Sequence, residues 1–369
     1  MSLRVPYSYL ERQFADIDAI LEDVRALVRT GDFTLGRAVT EFEARFARQV
    51  GARHAVGVNS GTDALILALQ AAGVGPGDEV ITAPNTFIAT VGAIVAAGAR
   101  PVFVDVNAEH TLDAPLVELA VTARTRAIMP VHLSGNPSDM PAIMKIAERS
   151  GVAVVEDACQ AFTAAIDGRA VGTFGVAAGF SLHPLKPLNV WGDAGMIVTD
   201  SDAIADHLRL RRNHGLRDRD TVELFGINSR LDTLQAVVGS HLIDGILDAT
   251  EARIRNARRL DAGLADLAGD VVIPPRRPGV RHVYLTYVIQ ARDRDGLVRF
   301  LLERGIEAKV HYPVPLHLQP AARDLGYRAG AFPVCERQAR EIVTLPAHQY
   351  LAQTELDYVI EQVRRFYNK

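Results

Sequence analysis

The chain has 369 residues, which allows two or three domains and a large core. Hydrophobic residues make up 48% and charged residues 23%, an ordinary soluble composition; the formal net charge of −4 supplies no basic field to recruit nucleic acid or an anionic membrane. The two cysteines, Cys159 and Cys335, make no disulfide framework and lack metal-site spacing, so both are read as small buried apolar residues and no metal is expected.

Residues 1–13 are polar and carry no apolar core of a secretory signal. The longest run of low polarity, 87–99, is too short and too rich in Gly and Ala to span a bilayer, and a cytoplasmic location is expected. Leu10, Phe14, Ile17, Ile20, Leu21, Val24 and Leu27 recur at helical spacing, which predicts one amphipathic helix over 8–30, stopped at Thr30-Gly31-Asp32. A second helix is predicted over 37–50, with Val39, Phe42 and Phe46 on one face.

From residue 52 short apolar runs alternate with helical patterns. Strands are predicted at 54–58, 79–83, 101–106, 126–131, 152–156, 177–181 and 196–199, and helices at 62–72, 86–97, 114–121 and 138–149. This alternation predicts an α/β fold, its mostly parallel central sheet covered by helices on both faces. Ligands of such sheets bind beyond the carboxyl ends of the strands. After residue 245 the texture changes: a charged helix at 251–267, Pro274-Pro275, a strand at 282–290 and a helix at 293–304. The expected division is a large domain, 1–245, and a smaller C-terminal α+β domain, 246–369.

Several polar residues fall at those strand ends. After the first strand, Asn59-Ser60-Gly61-Thr62 reads as a tight turn into a helix, whose free amides favour an anion such as phosphate; an ordinary helix cap is the alternative. Phe87 follows the second strand and can stack on a planar ligand or belong to the core. Asp157 ends an apolar strand, where a carboxylate is costly unless paired, with a cap of the following helix as the alternative, and Gln160 follows one helical turn on. Lys186 sits in an apolar, proline-flanked setting that would lower its pKa and free a neutral amine; a solvated loop lysine is the alternative. A carboxylate and a lysine so placed could hold the two ends of a pyridoxal phosphate ring, one keeping the ring nitrogen protonated and the other forming the imine. Ser229-x-x-Asp232 predicts a capping box opening a helix over 231–242, and leaves Asn228 without a capping role. Arg209, Arg211, Arg212, Arg217 and Arg219 could meet a phosphorylated substrate, although a solvated helix face explains most of them. His311, Tyr312 and His317 lie in one proline-stiffened loop and suggest a site; no acidic partner is near in sequence.

Taken together these stretches resemble the DegT/DnrJ/EryC1/StrS sugar aminotransferases, which share the aspartate-aminotransferase fold (PLP fold type I). The likeness runs from residue 34 to residue 345 through Asn59-Ser60-Gly61-Thr62-Asp63-Ala64-Leu65, Gly75-Pro76-Gly77-Asp78-Glu79-Val80, Pro130-Val131-His132-Leu133 and Glu156-Asp157-Ala158-Cys159-Gln160-Ala161. It continues through Phe180-Ser181 with Lys186, Gly192-Asp193, Arg212-Asn213-His214-Gly215, Asn228-Ser229-Arg230-Leu231-Asp232 and His311-Tyr312-Pro313. The resemblance implies a pyridoxal 5'-phosphate enzyme that moves an amino group from glutamate or glutamine to a keto sugar, generally nucleotide-linked. It also implies that Lys186 forms the Schiff base and shuttles the proton. Asp157 would pair with the pyridinium nitrogen, Gln160 with the phenolic oxygen, and Phe87 would stack on the ring. Gly61, Thr62 and Ser181 would bind the phosphate, joined by Asn228 of the neighbouring subunit in a homodimer. His311, Tyr312 and His317 are the expected substrate residues. Pro187, Trp191 and Ala194 depart from the family pattern, so residues 187–194 are expected to shape the sugar pocket. A sugar dehydratase of the same family would replace the lysine by histidine, and a regulatory protein on this scaffold should lose Lys186 or Asp157; both residues are present.

Overall fold

The computed structural model describes residues 3–368. Its centre is a seven-stranded sheet. From edge to edge the strands are His54–Val58, Gly195–Thr199, Ala177–Ser181, Ala153–Asp157, Thr125–Ile128, Glu79–Thr82 and Arg100–Phe103. Gly195–Thr199 runs antiparallel to both of its neighbours, and the other pairings are parallel. Each predicted strand of this sheet is present, two of them (54–58 and 177–181) with the expected bounds and the others with ends shifted by up to three residues.

The strands are apolar along their whole length because both faces are covered. Met196 and Val198 pack with Phe42, Phe46 and Ala236 from the helices Arg37–Val50 and Thr233–Leu242, on one face. Ile197 between them packs with Leu65, Leu69, Ile94 and Leu208, from the helices Gly61–Ala71, Ile88–Ala96 and Asp202–Arg211, on the other. The alternation of neighbours in one strand is the strand period turned into two cores.

A second sheet, of three strands, orders Val271–Val272, Tyr287–Ala291 and Ile342–Leu345. It packs with the helices Ile246–Leu264, Arg294–Glu303 and Gln353–Phe366 around Tyr287, Ile289, Leu260, Leu301, Val343 and Val359. Val5, from the other end of the chain, is buried in the same cluster.

Three local expectations are corrected. The helix over 8–30 is two helices, Leu10–Gln13 and Asp18–Thr30. Phe14 turns to meet Trp191 edge-on at 5.8 Å, and the Asp16 carboxylate accepts the Asp18 amide at 3.4 Å, a local bond that competes with the helix. The strand over 282–290 is only Tyr287–Ala291, since Tyr284 takes a left-handed φ of 49° and stacks on His282 with centroids 3.8 Å apart. Ser229 caps no helix: Asp232 is the N-cap of Thr233–Leu242, and the buried Ser229 hydroxyl instead donates to Asp63 Oδ2 at 2.7 Å.

Two buried histidines make the fold acid-sensitive. Burial, helped by Arg276, pushes His110 down to about 4, and burial, helped by Arg253, pushes His348 down to about 4. Both are neutral in the folded chain and take up a proton on unfolding, so stability present above pH 6.5 is lost as pH falls toward 4. The melting temperature should drop across that window, and His348→Gln should flatten the drop; an equally steep profile in the variant would remove His348 from the account.

Candidate active site

The carboxyl ends of the central strands open into a cavity of about 300 Å³. Ser60, Gly61 and Thr62, Phe87, Asp157 and Gln160, Ser181, Lys186, His311 and Tyr312 all line it. The residues from Ser60 to Lys186 meet there because each follows or ends a strand of the central sheet, the place where parallel sheets leave backbone and side chains free, while His311 and Tyr312 come from the loop after the helix Arg294–Glu303.

At one end of the cavity the helix Gly61–Ala71 starts. Ser60 is its N-cap, its hydroxyl accepting the Asp63 amide at 3.1 Å, so the cap and the anion site share one turn. The first-turn amides have no partner inside a helix and carry its positive dipole end. Glycine is required at position 61: a Cβ there would stand 2.6 Å from Ser181 Cβ and 3.0 Å from Ser181 Oγ. Gly195 serves the same approach from the neighbouring strand, for its Cβ would meet Ser60 O at 2.2 Å. This cradle of amides and hydroxyls fits a phosphate.

Asp157 lies at the end of Ala153–Asp157, 4% exposed. Its Oδ2 accepts the Thr90 hydroxyl at 2.6 Å, and its Oδ1 accepts the Cys159 amide at 3.1 Å. Thr90 in turn lies 2.7 Å from the Thr86 hydroxyl. These bonds hold the carboxylate in place and use part of its acceptor capacity, which leaves room for a donor from the cavity. The adjacent Glu156 is spent on structure: it is fully buried, accepts the amides of Gly172, Phe174 and Gly175 at 2.7, 2.8 and 2.8 Å, and pairs with His132 at 3.1 Å. Because His132 Nδ1 accepts the Ser138 amide at 3.0 Å, Nε2 is the nitrogen that carries the proton toward Glu156.

Lys186 extends from a turn closed by its amide on His183 O at 2.8 Å. Desolvation lowers its ammonium pKa, opposed by Cys159 and the Asp157 carboxylate, which places a readily deprotonated amine on the cavity wall. Tyr312 is pushed up to about 12, first by burial and then by the Asp157 charge. His311 is held below its ordinary value by burial, with Lys309 and Lys186 adding repulsion. The half-exposed Phe87 ring stands 6.1 Å from that of Tyr312. Gln160 is buried at the wall, its Oε1 accepting the Ser134 amide at 2.7 Å.

Other expected residues stand elsewhere. His317 is buried off the cavity, its Nε2 3.0 Å from Glu336 in a structural hydrogen bond; the acidic partner lay nineteen positions away in sequence. Asn228 is exposed and lies outside this chain's own cavity. Trp191 packs on Phe14, and of residues 187–194 only Asp193 reaches the cavity wall. Ala194 needs no left-handed backbone, for its carbonyl accepts the Leu182 amide at 2.9 Å in ordinary strand fashion. Arg212 is buried against Glu43 and Gly57 O, and Arg217 pairs with Glu223 at 2.7 Å, so neither faces a substrate. Cys159 corrects the expectation of a buried filler: it lines the cavity, with burial and the Asp157 charge keeping its thiol protonated. Asp193, from the stretch expected to shape the pocket, also lines the cavity; Tyr7, Thr90, His183 and Thr286 line it too, and nothing in the sequence gave them a role. Thr86 and Thr90, spaced one helical turn apart after a strand end, were the available signal for the hydroxyls behind Asp157.

A phosphate cradle, a buried carboxylate and a lysine of lowered pKa around one cavity fit a pyridoxal-phosphate enzyme of fold type I. The chain belongs to the DegT/DnrJ/EryC1/StrS aminotransferase family, whose model matches residues 15–364. It is 42% identical to the pleiotropic regulatory protein of Geobacillus stearothermophilus, over 99% of each chain. It is 41% identical to the dTDP-3-amino-3,4,6-trideoxy-alpha-D-glucose transaminase of Streptomyces venezuelae, covering 96% of this chain and 95% of that protein. The solved structure of S. venezuelae DesV superposes with a TM-score of 0.97 at 39% identity over 100% of both chains. The protein is an aminotransferase and its cofactor is pyridoxal phosphate. Among the described residues no helix is long and apolar enough to cross a membrane.

Proposed function

We propose that this enzyme moves an amino group from glutamate or glutamine to a keto sugar, nucleotide-linked, in the cytoplasmic assembly of an amino sugar. The observation that carries the mechanism is Lys186 and Asp157 on the wall of one cavity that also holds the Gly61 cradle. Pyridoxal phosphate bound there supplies a reactive carbonyl and an electron sink. Gly61, Thr62 and Ser181 would hold its phosphate through amides and a hydroxyl. Asp157, fixed by Thr90 and the Cys159 amide, would accept the ring N–H and keep that nitrogen protonated. Gln160 would face the phenolic oxygen and Phe87 would cover the ring. Lys186 would supply the neutral amine that condenses with the carbonyl, water leaving, and once released would take up and return the proton at the reacting carbons. His311 and Tyr312 stand at the same wall and are read as substrate contacts. Support for a sugar acceptor is the name of the S. venezuelae relative. The name of the G. stearothermophilus relative describes a regulator, but this chain keeps both groups that chemistry requires and that regulation alone does not.

The reading includes a homodimer with shared sites, Asn228 joining the partner's phosphate cradle. What supports it is the exposure of apolar side chains beside Asn228: Phe225 is 94% and Ile227 47% exposed. It also includes the division into domains 1–245 and 246–369, supported by the separate three-stranded sheet and its core, with Val5 returning to pack on the smaller unit.

Purified protein with pyridoxal phosphate should show a visible band that shifts on adding glutamate or glutamine and returns on adding an accepting keto-sugar nucleotide. Failure of every donor to shift the band would overturn the transamination. Asn228→Ala and Lys186→Ala chains, each weak or inactive alone, should regain activity when mixed, through hybrid sites holding both native residues. No recovery despite proven subunit exchange counts against the shared site.

A further inference from the structure

The segment that begins the described chain reaches Lys186 directly. It is first anchored beside the smaller sheet: the amides of Arg4 and Val5 both donate to Gly305 O at 2.9 Å, the Glu307 amide donates to Val5 O at 3.0 Å, and the Tyr7 amide donates to Glu307 Oε2 at 2.9 Å. His348 Nε2 reaches Pro6 O at 3.1 Å. The segment then passes the cavity, which Tyr7 lines, and delivers Tyr9 to the turn that carries the lysine.

Tyr9 is 4% exposed and its hydroxyl donates to Lys186 O at 2.9 Å. Asn189 Nδ2 donates to the Tyr9 hydroxyl at 3.4 Å and to Pro184 O at 2.8 Å. Gln13 and Asn189 exchange side-chain bonds of 3.0 and 3.0 Å. Behind the ring, the Arg253 guanidinium lies 4.9 Å from the Tyr9 centroid. Arg253 is 3% exposed and its Nη2 has no hydrogen-bond partner, so its charge is left to act on what surrounds it. A cation against the face of a phenol attracts the ring and holds it in place.

We infer that Tyr9, with Arg253 behind it, is a positioning residue of the reaction: it holds the Lys186 carbonyl and thereby sets where the lysine amine stands and how much water reaches it. The inference rests on Lys186 being the amine that bonds the cofactor. A lysine side chain has four rotatable carbons, so a fixed backbone is what makes its reach reproducible. Without the Tyr9 hydroxyl the 183–189 turn stays tied to the segment only through Gln13 and Asn189, and the Lys186 carbonyl keeps only the longer bond from Asn189 Nδ2 at 3.4 Å; water enters, and the desolvation that lowers the Lys186 pKa relaxes.

The test is Tyr9→Phe, which removes one oxygen and keeps the ring. In cofactor-free protein, labelling of Lys186 by an amine-reactive reagent, followed by peptide mass across pH, should show its midpoint move up by about one unit. At neutral pH the rate of pyridoxal phosphate attachment, read from the visible band, should fall about tenfold, and kcat should fall with little change in KM for the sugar. An unchanged midpoint and attachment rate overturn the inference. If Tyr9→Phe does not fold, Tyr9→Met, which likewise removes the donor and leaves an apolar side chain in its place, must move the midpoint in the same direction, and an unmoved midpoint again overturns it. Lys186→Ala measured in parallel separates the two levels: attachment retained there removes Lys186 as the amine, whereas attachment lost there with Tyr9→Phe unaffected removes only Tyr9.

Discussion

Lys186→Ala should lose turnover by on the order of 10⁴-fold or more, because one amine serves both as nucleophile and as proton carrier, and deleting such a group removes two functions at once. The visible band of the lysine-bound cofactor should vanish with it, while the protein still holds the cofactor through the phosphate cradle and the ring pocket. Lys186→Arg should be as inactive as the alanine variant. Arginine keeps a cation at the wall but has no neutral amine to offer, so equal loss in both variants assigns the role to the free amine and not to charge. The structure gives the reason this lysine is suited to it: desolvation lowers its pKa, against the pull of Asp157. Near-normal turnover by either variant would end the assignment.

How much of this was legible in the sequence follows from the kind of contact each residue makes. Asp157, Lys186 and Gly61 stood out because a carboxylate, an amine and a glycine at apolar strand ends are each locally anomalous, and one residue type carries the chemistry. The central strands stood out because burial on both faces leaves continuous apolar runs. Tyr9, Thr90 and Glu156 did not, since their roles exist only once distant segments meet: Tyr9 and Lys186 are 177 positions apart, and Thr90 and Asp157 are 67. His317 misled for the opposite reason. A histidine in a proline-rich loop with His311 looked like a site, but its partner Glu336 arrives from the helix Pro333–Glu341 and takes it out of play. Phe14 broke a good helical period because its packing partner, Trp191, comes from a loop far along the chain. Trp191, thus engaged, does not line this chain's cavity, whose wall carries His183, Asp193, Tyr7 and Thr286.

The neighbouring carboxylates Glu156 and Asp157 should separate folding from chemistry. Glu156→Gln puts an amide donor where one carboxylate oxygen accepted, facing backbone N–H groups and the His132 proton that have no other partner in a fully buried site. Losing acceptors there should cost roughly 3 kcal/mol or more of stability, seen as a melting temperature lower by several degrees. What protein folds should turn over normally, since Glu156 does not line the cavity. Asp157→Asn should do the reverse. The Thr90 and Thr86 hydroxyls can turn to accept as well as donate, so an amide fits the same bonds and melting should change little. Turnover, however, should fall about 10²–10³-fold, because a neutral amide no longer favours the protonated ring nitrogen that lets the cofactor accept electrons. The bound cofactor's spectrum should then titrate in a range where the native enzyme's is flat. Full activity in Asp157→Asn, or an inactive but fully stable Glu156→Gln, would show that the two carboxylates have been assigned the wrong way round.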